Sequence, residues 1–293
     1  MRILITGGSG LLGQYLNIRL SKNNSILTTY NTEARNCKEF NSRHLDINRF
    51  ESISEIFKDF LPEIVVHTAA VSSPETAAAL ASKEVFGTNV NATLNLAKLC
   101  RDFNSKLIYT STDLVYAGYR GSMLTEEAKI IPISIYAETK LMGEVKIKET
   151  FDNYIILRTA LLYGFGINGK ENHFHQMYTK LQSGQKIKLF NDQFRTPIAL
   201  NDAARIIDEL CTKGIRHETI NLGGLERVSR LELGYKLCDV AGLNKNLIES
   251  ISMNDLPDYP QVADVSMNTD KLHSFGIKQK TIEESFAEIL NNF

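Results

Sequence analysis

The first two-thirds of the chain alternates short apolar runs rich in β-branched residues with longer stretches in which apolar residues recur every three or four positions. The short runs are typical of buried strands, and the longer spacing is typical of one face of a helix. This alternation predicts an α/β fold, in which a doubly wound parallel sheet is covered by helices on both faces. The predicted strands are 2–6, 25–30, 63–70, 106–112 and 154–164, and the predicted helices are 11–22, 48–61, 82–103 and 136–151.

After residue 164 the pattern becomes less regular. We expect one domain formed by 1–164 with 198–224, and a smaller mixed α/β lobe formed by 165–197 with 225–293. The individual predictions are an irregular polar segment at 166–177, short strands at 186–190, 196–200 and 218–224, helices at 201–214, 229–241 and 281–291, and a proline-bearing loop at 254–265.

The composition is that of an ordinary globular protein, with 43% hydrophobic and 23% charged residues and a formal net charge of -1. This charge gives no basic surface for nucleic acid. The first apolar run is too short for a signal peptide, and no later run approaches the length of a membrane span. Four dispersed cysteines without a C-x-x-C pair fit a reducing compartment, so a cytoplasmic protein is expected.

The segment TGGSGLLG follows the first predicted strand and opens the first predicted helix. Its glycines, Gly7, Gly10 and Gly13, would allow a tight turn, a close approach to a pyrophosphate and close packing of helix on strand. Backbone N–H groups of Leu11 and Leu12 at the helix N-terminus would favour the phosphates. A plain strand-to-helix turn is the alternative, but this context predicts a dinucleotide-binding domain of the Rossmann type.

The stretch YAETK places a tyrosine, Tyr136, four residues before Lys140, on the same face of a predicted helix. Many solvated helices carry such a pair without any function. Here Thr112 also stands at the carboxyl end of a predicted strand, where open α/β sheets bind ligands, whereas Ser111 should point to the opposite side. A carbonyl reductase needs a proton donor, a cation that favours the phenolate and a group that holds the carbonyl oxygen. Tyr136, Lys140 and Thr112 are the predicted residues for these roles.

Several motifs in this order resemble the extended short-chain dehydrogenase/reductase superfamily, whose fold, cofactor and catalytic tetrad the resemblance then implies. The stretch LDI corresponds to the segment that contacts the adenine, HTAA to the loop beside the adenine ribose and pyrophosphate, and TNVNAT to the helix that carries the tetrad asparagine. The residues implied in these roles are Asp46 and Ile47, then Thr68, Ala69 and Ala70, and finally Asn89.

Within the superfamily, the stretches STDLVYAG, YAETKLMGE, RTALLYG and NDQFRTPIALNDAARI resemble dTDP-4-dehydrorhamnose reductase and its relatives. The resemblance implies an NAD(P)H-dependent reductase of a 4-keto nucleotide sugar, converting dTDP-4-dehydro-L-rhamnose to dTDP-L-rhamnose in dTDP-rhamnose biosynthesis. It also covers a non-catalytic relative, the regulatory subunit of methionine adenosyltransferase, and an epimerase would use the same Tyr–Lys pair. A dehydratase is disfavoured because Asp113 is followed by Leu114 rather than by a second acid. A homodimer also stays open.

Four further residues complete the predicted site. Asp113 is expected beside the substrate, and Arg195, in DQFRTP, suits a diphosphate, with a hinge contact between the lobes as the alternative. The second strand ends without an acidic residue, so Asn31 and Arg35 are expected to bind the 2′-phosphate of NADP. NADPH is therefore the predicted cofactor, with NADH accepted, although Arg35 could equally be a solvated loop cation.

No metal site is expected. His173 and His175 lie close together in HFH, but no third ligand follows at a useful spacing.

Overall fold

The computed structural model describes residues 1–256 and 261–291, so the predicted loop at 254–265 lies partly outside the described residues. The predicted α/β fold is confirmed by a seven-stranded parallel sheet flanked by helices. Its strands are β1 (Arg2–Thr6), β2 (Ser25–Tyr30), β3 (Ser42–His44), β4 (Ile64–His67), β5 (Lys106–Thr112), β6 (Tyr154–Thr159) and β11 (Glu218–Leu222).

The sheet has the order β11-β6-β5-β4-β1-β2-β3. The chain first builds outward from β1 to β3 and then returns to build from β4 to β6, so β1 and β4 are neighbours at the point of reversal. In a doubly wound sheet, loops at the carboxyl ends of the strands on either side of such a point form the ligand-binding crevice. The glycine-rich turn after β1 and the loop after β4 meet there.

The helices associated with this sheet are α1 (Leu11–Leu20), α2 (Phe50–Phe60), α3 (Pro74–Ala79), α4 (Ser82–Phe86), α5 (Ala92–Asp102), α6 (Ile135–Thr150) and α8 (Leu200–Thr212). The predicted helix at 82–103 is divided, because a π-helical turn, Gly87–Asn91, connects α4 to α5. Such turns widen a helix locally and are frequent at functional sites. The predicted strand at 154–164 is also divided: β6 ends at Thr159.

The remaining elements are shorter. The strands are β7 (Leu162–Tyr163), β8 (Ile187–Phe190), β9 (Phe194–Arg195), β10 (Ile198–Ala199), β12 (Val228–Ser229) and β13 (Ile248–Ile251), and the helices are α7 (His173–Gln182), α9 (Arg230–Ala241), α10 (Asp270–Ser274) and α11 (Ile282–Asn291). The irregular segment predicted at 166–177 in fact contains the start of α7. Asn172 caps this helix by accepting a hydrogen bond from the backbone N–H of His175 at 2.9 Å.

The chain divides into two compact units. The first unit is formed by Met1–Val115, Ile131–Arg158 and Ala204–Ile220, and the second by Tyr116–Ile130, Thr159–Ala203 and Asn221–Phe293. Residues 116–130 fall in the second unit, whereas the sequence placed them in the first. The reason is long-range pairing, since Leu124 forms a parallel bridge with Met267.

Each unit has its own apolar core. In the first unit, buried residues of the strands pack against α2, α5 and α6, with Phe57, Leu96 and Tyr109 fully buried. In the second unit, an aromatic cluster that includes Tyr163, Phe174 and Phe286 packs between α7, α9 and α11. Among the described residues, no helix has both the length and the apolar composition needed to cross a membrane.

Candidate active site

The glycine-rich turn is shaped by close backbone contacts on the side that faces the protein. A Cβ at Gly7 would lie 2.6 Å from the backbone nitrogen of Ala69, and φ at Gly7 is +75°. A Cβ at Gly13 would lie 2.2 Å from the carbonyl oxygen of Gly7. At Gly10 the only atom of the described residues within 4 Å would be the same carbonyl oxygen, at 3.1 Å. Gly7 and Gly13 are thus required by packing, while a side chain at Gly10 would make one tight contact, with the backbone oxygen of Gly7.

The loop after β4 is tied to this turn by the hydroxyl of Thr68. It donates to the carbonyl oxygen of Thr6 at 2.8 Å and is 3.3 Å from that of Gly7. Thr68, Ala69 and Ala70 are half-buried, as are Gly7 and Gly10. The glycine-rich turn (6–13) and the loop after β4 (68–70) therefore lie side by side and form one continuous surface, called the rim below.

Two buried asparagines support the turn from behind, and no sequence motif pointed to them. Asn17 on α1 donates from Nδ2 to the carbonyl oxygen of Gly8 at 3.0 Å and to Oδ1 of Asn36 at 2.9 Å. Asn36 belongs to a 3₁₀ turn, Arg35–Glu39, and donates to the carbonyl oxygen of Gln14 at 3.0 Å. This network fixes the segment after β2 relative to the glycine-rich turn.

The side chains of Thr112, Asp113 and Tyr136 meet at the carboxyl end of β5. The Thr112 hydroxyl donates to Oδ1 of Asp113 at 3.3 Å and shares a hydrogen bond with the Tyr136 hydroxyl. Tyr136 lies in the first turn of α6. This turn is stabilised by the N-cap Ser134, whose hydroxyl oxygen accepts a hydrogen bond from the N–H of Ala137 at 3.2 Å. All three side chains are buried, so they act on one another with little screening by water.

Burial raises the pKa of Tyr136 to about 12, and the negative charge of Asp113 adds to this, while the hydrogen bond with Thr112 opposes it. The sequence predicts that Lys140, together with an oxidised nicotinamide, favours the phenolate, whereas burial acts on this pKa in the opposite direction. The physical reason is that the phenolate would be poorly solvated at this position.

Lys140 lies one helical turn further along α6 and is also buried. Its ammonium nitrogen stands 4.1 Å from the ring centroid of Tyr109, a cation–π contact. Burial lowers the pKa of Lys140 to about 7, and the negative charge of Glu144 counteracts this. The charge of Lys140 is therefore sensitive to its neighbours near neutral pH.

Glu144 is a further site residue that the sequence motifs did not identify. It accepts a hydrogen bond from Ser111 at 2.6 Å and forms a buried ion pair with Arg158, whose Nη2 is 2.9 Å from Oε2. Ser111 thus points away from Thr112, as strand alternation predicts. The signal for Glu144 in the sequence was its position four residues after Lys140. Its partners, Ser111 and Arg158, lie on two strands of the sheet, which this spacing does not indicate.

Asn89 belongs to the π-helical turn, and its side chain is engaged by the protein. Its Oδ1 accepts from the N–H of Val71 at 2.9 Å, and its Nδ2 donates to Oγ1 of Thr139 at 3.0 Å and to the carbonyl oxygen of Val71 at 3.2 Å. Asn89 therefore links the loop after β4 to α6. Its place in a catalytic tetrad stays a prediction.

The predicted adenosine contacts lie at the ends of β2 and β3. Asn31 is exposed and Ile47 is buried. The guanidinium of Arg35 is 2.8 Å from a carboxylate oxygen of Glu33, and Asp46 accepts from the N–H of Asn48 at 3.0 Å. The roles of these residues toward a cofactor stay predictions.

The other predicted residues are in the second unit. Arg195 is buried on β9, which pairs with β12. His173 and His175 lie on the first turn of α7, and His175 stacks edge-on against Phe165 at 5.4 Å between ring centroids. Among the described residues, no group of three or more histidines, cysteines and acids is placed to hold a metal.

Comparison with curated proteins shows relatives along nearly the whole chain. A probable low-salt glycan biosynthesis reductase from Haloferax volcanii is 28% identical, covering 99% of this chain and 97% of the relative. A dTDP-4-dehydrorhamnose reductase from Aggregatibacter actinomycetemcomitans is 28% identical, covering 98% of each. Methionine adenosyltransferase 2 subunit beta from Mus musculus is 27% identical, covering 96% of this chain and 84% of the relative.

Solved structures share the fold at lower identity. A dTDP-4-dehydrorhamnose reductase from Bacillus anthracis, in complex with NADP, superposes with a TM-score of 0.87 at 23% identity, covering 100% of this chain and 99% of that one. A UDP-glucose 4-epimerase from Thermotoga maritima, with UDP-glucose, gives a TM-score of 0.85 at 21% identity and covers 99% and 98% of the two chains. The family model described as the RmlD substrate binding domain matches residues 1–293. The chain therefore belongs to this family, within the extended short-chain dehydrogenase/reductase superfamily.

Proposed function

We propose that this protein is an NAD(P)H-dependent reductase of a 4-keto nucleotide sugar. The observation that carries the proposal is the buried cluster at the end of β5, where Thr112 joins Tyr136 and Asp113, with Lys140 one turn away. The family supports the same conclusion, since two of its relatives are named as reductases.

The hydroxyl groups of Thr112 and Tyr136 would both donate to a carbonyl oxygen placed between them. Thr112 orients the oxygen, and Tyr136 transfers its proton to it as the carbonyl becomes an alcohol. A pKa of about 12 keeps Tyr136 protonated at neutral pH, which suits the reducing direction. A reduced nicotinamide bound beside the cluster would supply the hydride to the carbonyl carbon.

Lys140 has two roles in this proposal. Its ammonium group stabilises the phenolate that Tyr136 becomes after proton transfer, because the two side chains lie on one face of α6. It also donates hydrogen bonds to the ribose next to the nicotinamide. Asn89 contributes by holding the loop after β4 against α6.

The residues of the rim fit a dinucleotide. The missing side chain at Gly10 would let a pyrophosphate approach the first turn of α1, where the N–H groups of Leu11 and Leu12 would bind it. Thr68, Ala69 and Ala70 would adjoin the adenine ribose and the pyrophosphate. Asp46 and Ile47 would contact the adenine, and Asn31 and Arg35 the 2′-phosphate of NADP.

We assign dTDP-4-dehydro-L-rhamnose as the substrate and NADPH as the preferred cofactor. The Aggregatibacter relative supports the sugar, and the Bacillus anthracis structure, in complex with NADP, supports the cofactor. Arg195 is the proposed contact to the diphosphate, and Asp113 a contact to the sugar. A cytoplasmic location and a homodimer belong to the same proposal.

A regulatory subunit without turnover is the second candidate, because methionine adenosyltransferase 2 subunit beta is nearly as similar as the reductases. Tyr136, Lys140 and Thr112 are all present and close together, which favours the reductase.

The deciding experiment follows the absorbance of NADPH across a panel of 4-keto nucleotide sugars, with cofactor binding measured by calorimetry on the same preparation. We expect oxidation of NADPH with dTDP-4-dehydro-L-rhamnose and slower oxidation of NADH. Cofactor binding without turnover on any sugar would instead favour the regulatory subunit. Interconversion of two sugars without net oxidation of NADPH would favour an epimerase.

A further inference from the structure

α6 carries a buried polar stripe that is longer than the proposed reaction requires. Tyr136, Lys140 and Glu144 are spaced four residues apart, and they are 9%, 3% and 1% exposed. Residues at this spacing share one helix face. Buried charges are costly unless they are paired and hydrogen-bonded. The first two residues have roles in the proposed reaction, but Glu144 does not.

The carboxylate of Glu144 is held in one orientation by two neighbouring strands. Ser111 on β5 donates to Oε1 at 2.6 Å. Arg158 on β6 donates from Nε to the same oxygen at 3.2 Å and from Nη2 to Oε2 at 2.9 Å. Replacing such a buried ion pair by apolar residues is often neutral or stabilising, so stability alone gives little reason for this arrangement.

We infer that Glu144 is a positioning residue, whose fixed negative charge, on the same buried helix face, keeps Lys140 cationic beside Tyr136. The inference rests on the proposed function of the Tyr136–Lys140 pair. Ser111 precedes Thr112 on β5, so the same strand that orients the carbonyl also anchors this charge.

Among the groups around Lys140, Glu144 is the one whose charge affects the pKa of Lys140. Burial lowers the pKa of Lys140 to about 7, and Glu144 raises it. His67 on β4 is buried and neutral at physiological pH, because burial, with a smaller effect from Lys140, lowers its pKa to about 3. Tyr109 is buried with a raised pKa, so it is neutral as well.

The other acids and bases on the elements packed against α6 are less suited to affect the pKa of Lys140. Asp113, in the 3₁₀ turn after β5, acts on the pKa of Tyr136, and Arg158 on β6 pairs with Glu144. Six more charged residues, on α3, α4 and α5, are exposed to solvent, where water screens them: Glu75, Lys83, Glu84, Lys98, Arg101 and Asp102.

The test is to remove the charge of Glu144 and to titrate Lys140 directly. Protein labelled with ε-¹³C-lysine would be titrated by NMR without cofactor, with Lys140 assigned from a Lys140→Arg spectrum. In Glu144→Gln, the midpoint of Lys140 should move to lower pH by about one unit or more, because an opposite charge has been removed. Glu149→Gln is the matched control, since Glu149 lies on the same helix in an exposed pair with Lys146. It should leave the midpoint unchanged.

The pH profile of turnover gives a second measurement. Reduction requires cationic Lys140, so turnover falls as the pH rises through the pKa of Lys140. The alkaline limb should therefore move to lower pH in Glu144→Gln, in the same direction as the NMR midpoint. A merely structural role would lower turnover at every pH without moving this limb.

Removing one partner of a buried pair is strongly destabilising. The double variant Glu144→Met with Arg158→Met would therefore be titrated as well, because it leaves no unpaired charge and should shift the midpoint in the same direction. An unchanged midpoint in either variant, with a cooperative unfolding transition, would overturn the inference. If the wild type reduces no sugar, the proposed function fails, but the NMR titration still decides the role of Glu144.

Discussion

The glycine-rich turn and the polar face of α6 lie in the same unit, but they are built in opposite ways. The turn depends on missing side chains: at Gly7, Gly10 and Gly13 a Cβ would crowd neighbouring backbone, least severely at Gly10. The face of α6 depends on buried side chains, and it changes the pKa of both Tyr136 and Lys140. Substitutions in the turn should therefore act through volume, and substitutions on α6 through charge and proton transfer.

The largest expected effect is that of Tyr136→Phe, which removes one hydroxyl and leaves the rim intact. Turnover should fall by roughly 10²–10⁴, the usual contribution of general acid catalysis. The dissociation constant for NADPH should stay nearly unchanged, because the ring still packs against Ala77 and Val85. Full activity in steady-state assays on the true substrate would show that Tyr136 is not the proton donor.

A smaller effect is expected from Gly10→Ala, which adds a methyl group 3.1 Å from the carbonyl oxygen of Gly7. Binding of NADPH should weaken by about tenfold or more, a loss of about 1.4 kcal/mol. The melting temperature should fall less than in Gly13→Ala, where the contacts with neighbouring backbone are much closer. Calorimetry and thermal unfolding would measure the two effects separately.

Two further glycines make this comparison sharper. In Gly13→Ala, the new Cβ would lie 2.2 Å from the carbonyl oxygen of Gly7, so both cofactor affinity and stability should fall. A Cβ at Gly214 would have no atom of the described residues within 4 Å, and Gly214→Ala should change neither quantity. Equal losses of stability in Gly10→Ala and Gly13→Ala would contradict the distinction drawn between them.

The smallest effect is expected at the end of β2, where Arg35 pairs with Glu33 at the surface. Arg35→Ala should weaken the binding of NADPH several-fold more than the binding of NADH, because only NADPH has the 2′-phosphate. The effect is small because a loop cation contributes about 1 kcal/mol or less. Glu33→Gln should strengthen the binding of NADPH, since the carboxylate of Glu33 no longer competes with the 2′-phosphate for the guanidinium of Arg35. Dissociation constants for both cofactors would test this.

Asp59→Asn provides the control for Glu33→Gln, because Asp59 forms a comparable exposed pair with Arg43. It should leave both dissociation constants unchanged. Tighter binding of NADH than of NADPH by the wild type would refute the cofactor preference, whatever the variants do.

The sequence by itself determined the parallel α/β fold and the candidate residues that depend on local spacing. The strand–turn–helix context identified the glycine-rich turn, and a separation of four residues put Tyr136 and Lys140 on one helix face. Strand alternation separated Thr112 from Ser111. All of these follow from backbone periodicity, which a short segment carries within itself.

Only the tertiary structure decided the properties that arise from distant segments. Sheet order brings β5 beside β6, and this places Ser111 and Arg158 on the carboxylate of Glu144. The raised pKa of Tyr136 and the lowered pKa of Lys140 follow from burial, which depends on everything packed around them. Residues 116–130 group with the second unit for the same reason: Leu124 pairs with Met267, which is too distant along the chain for any local pattern to reveal.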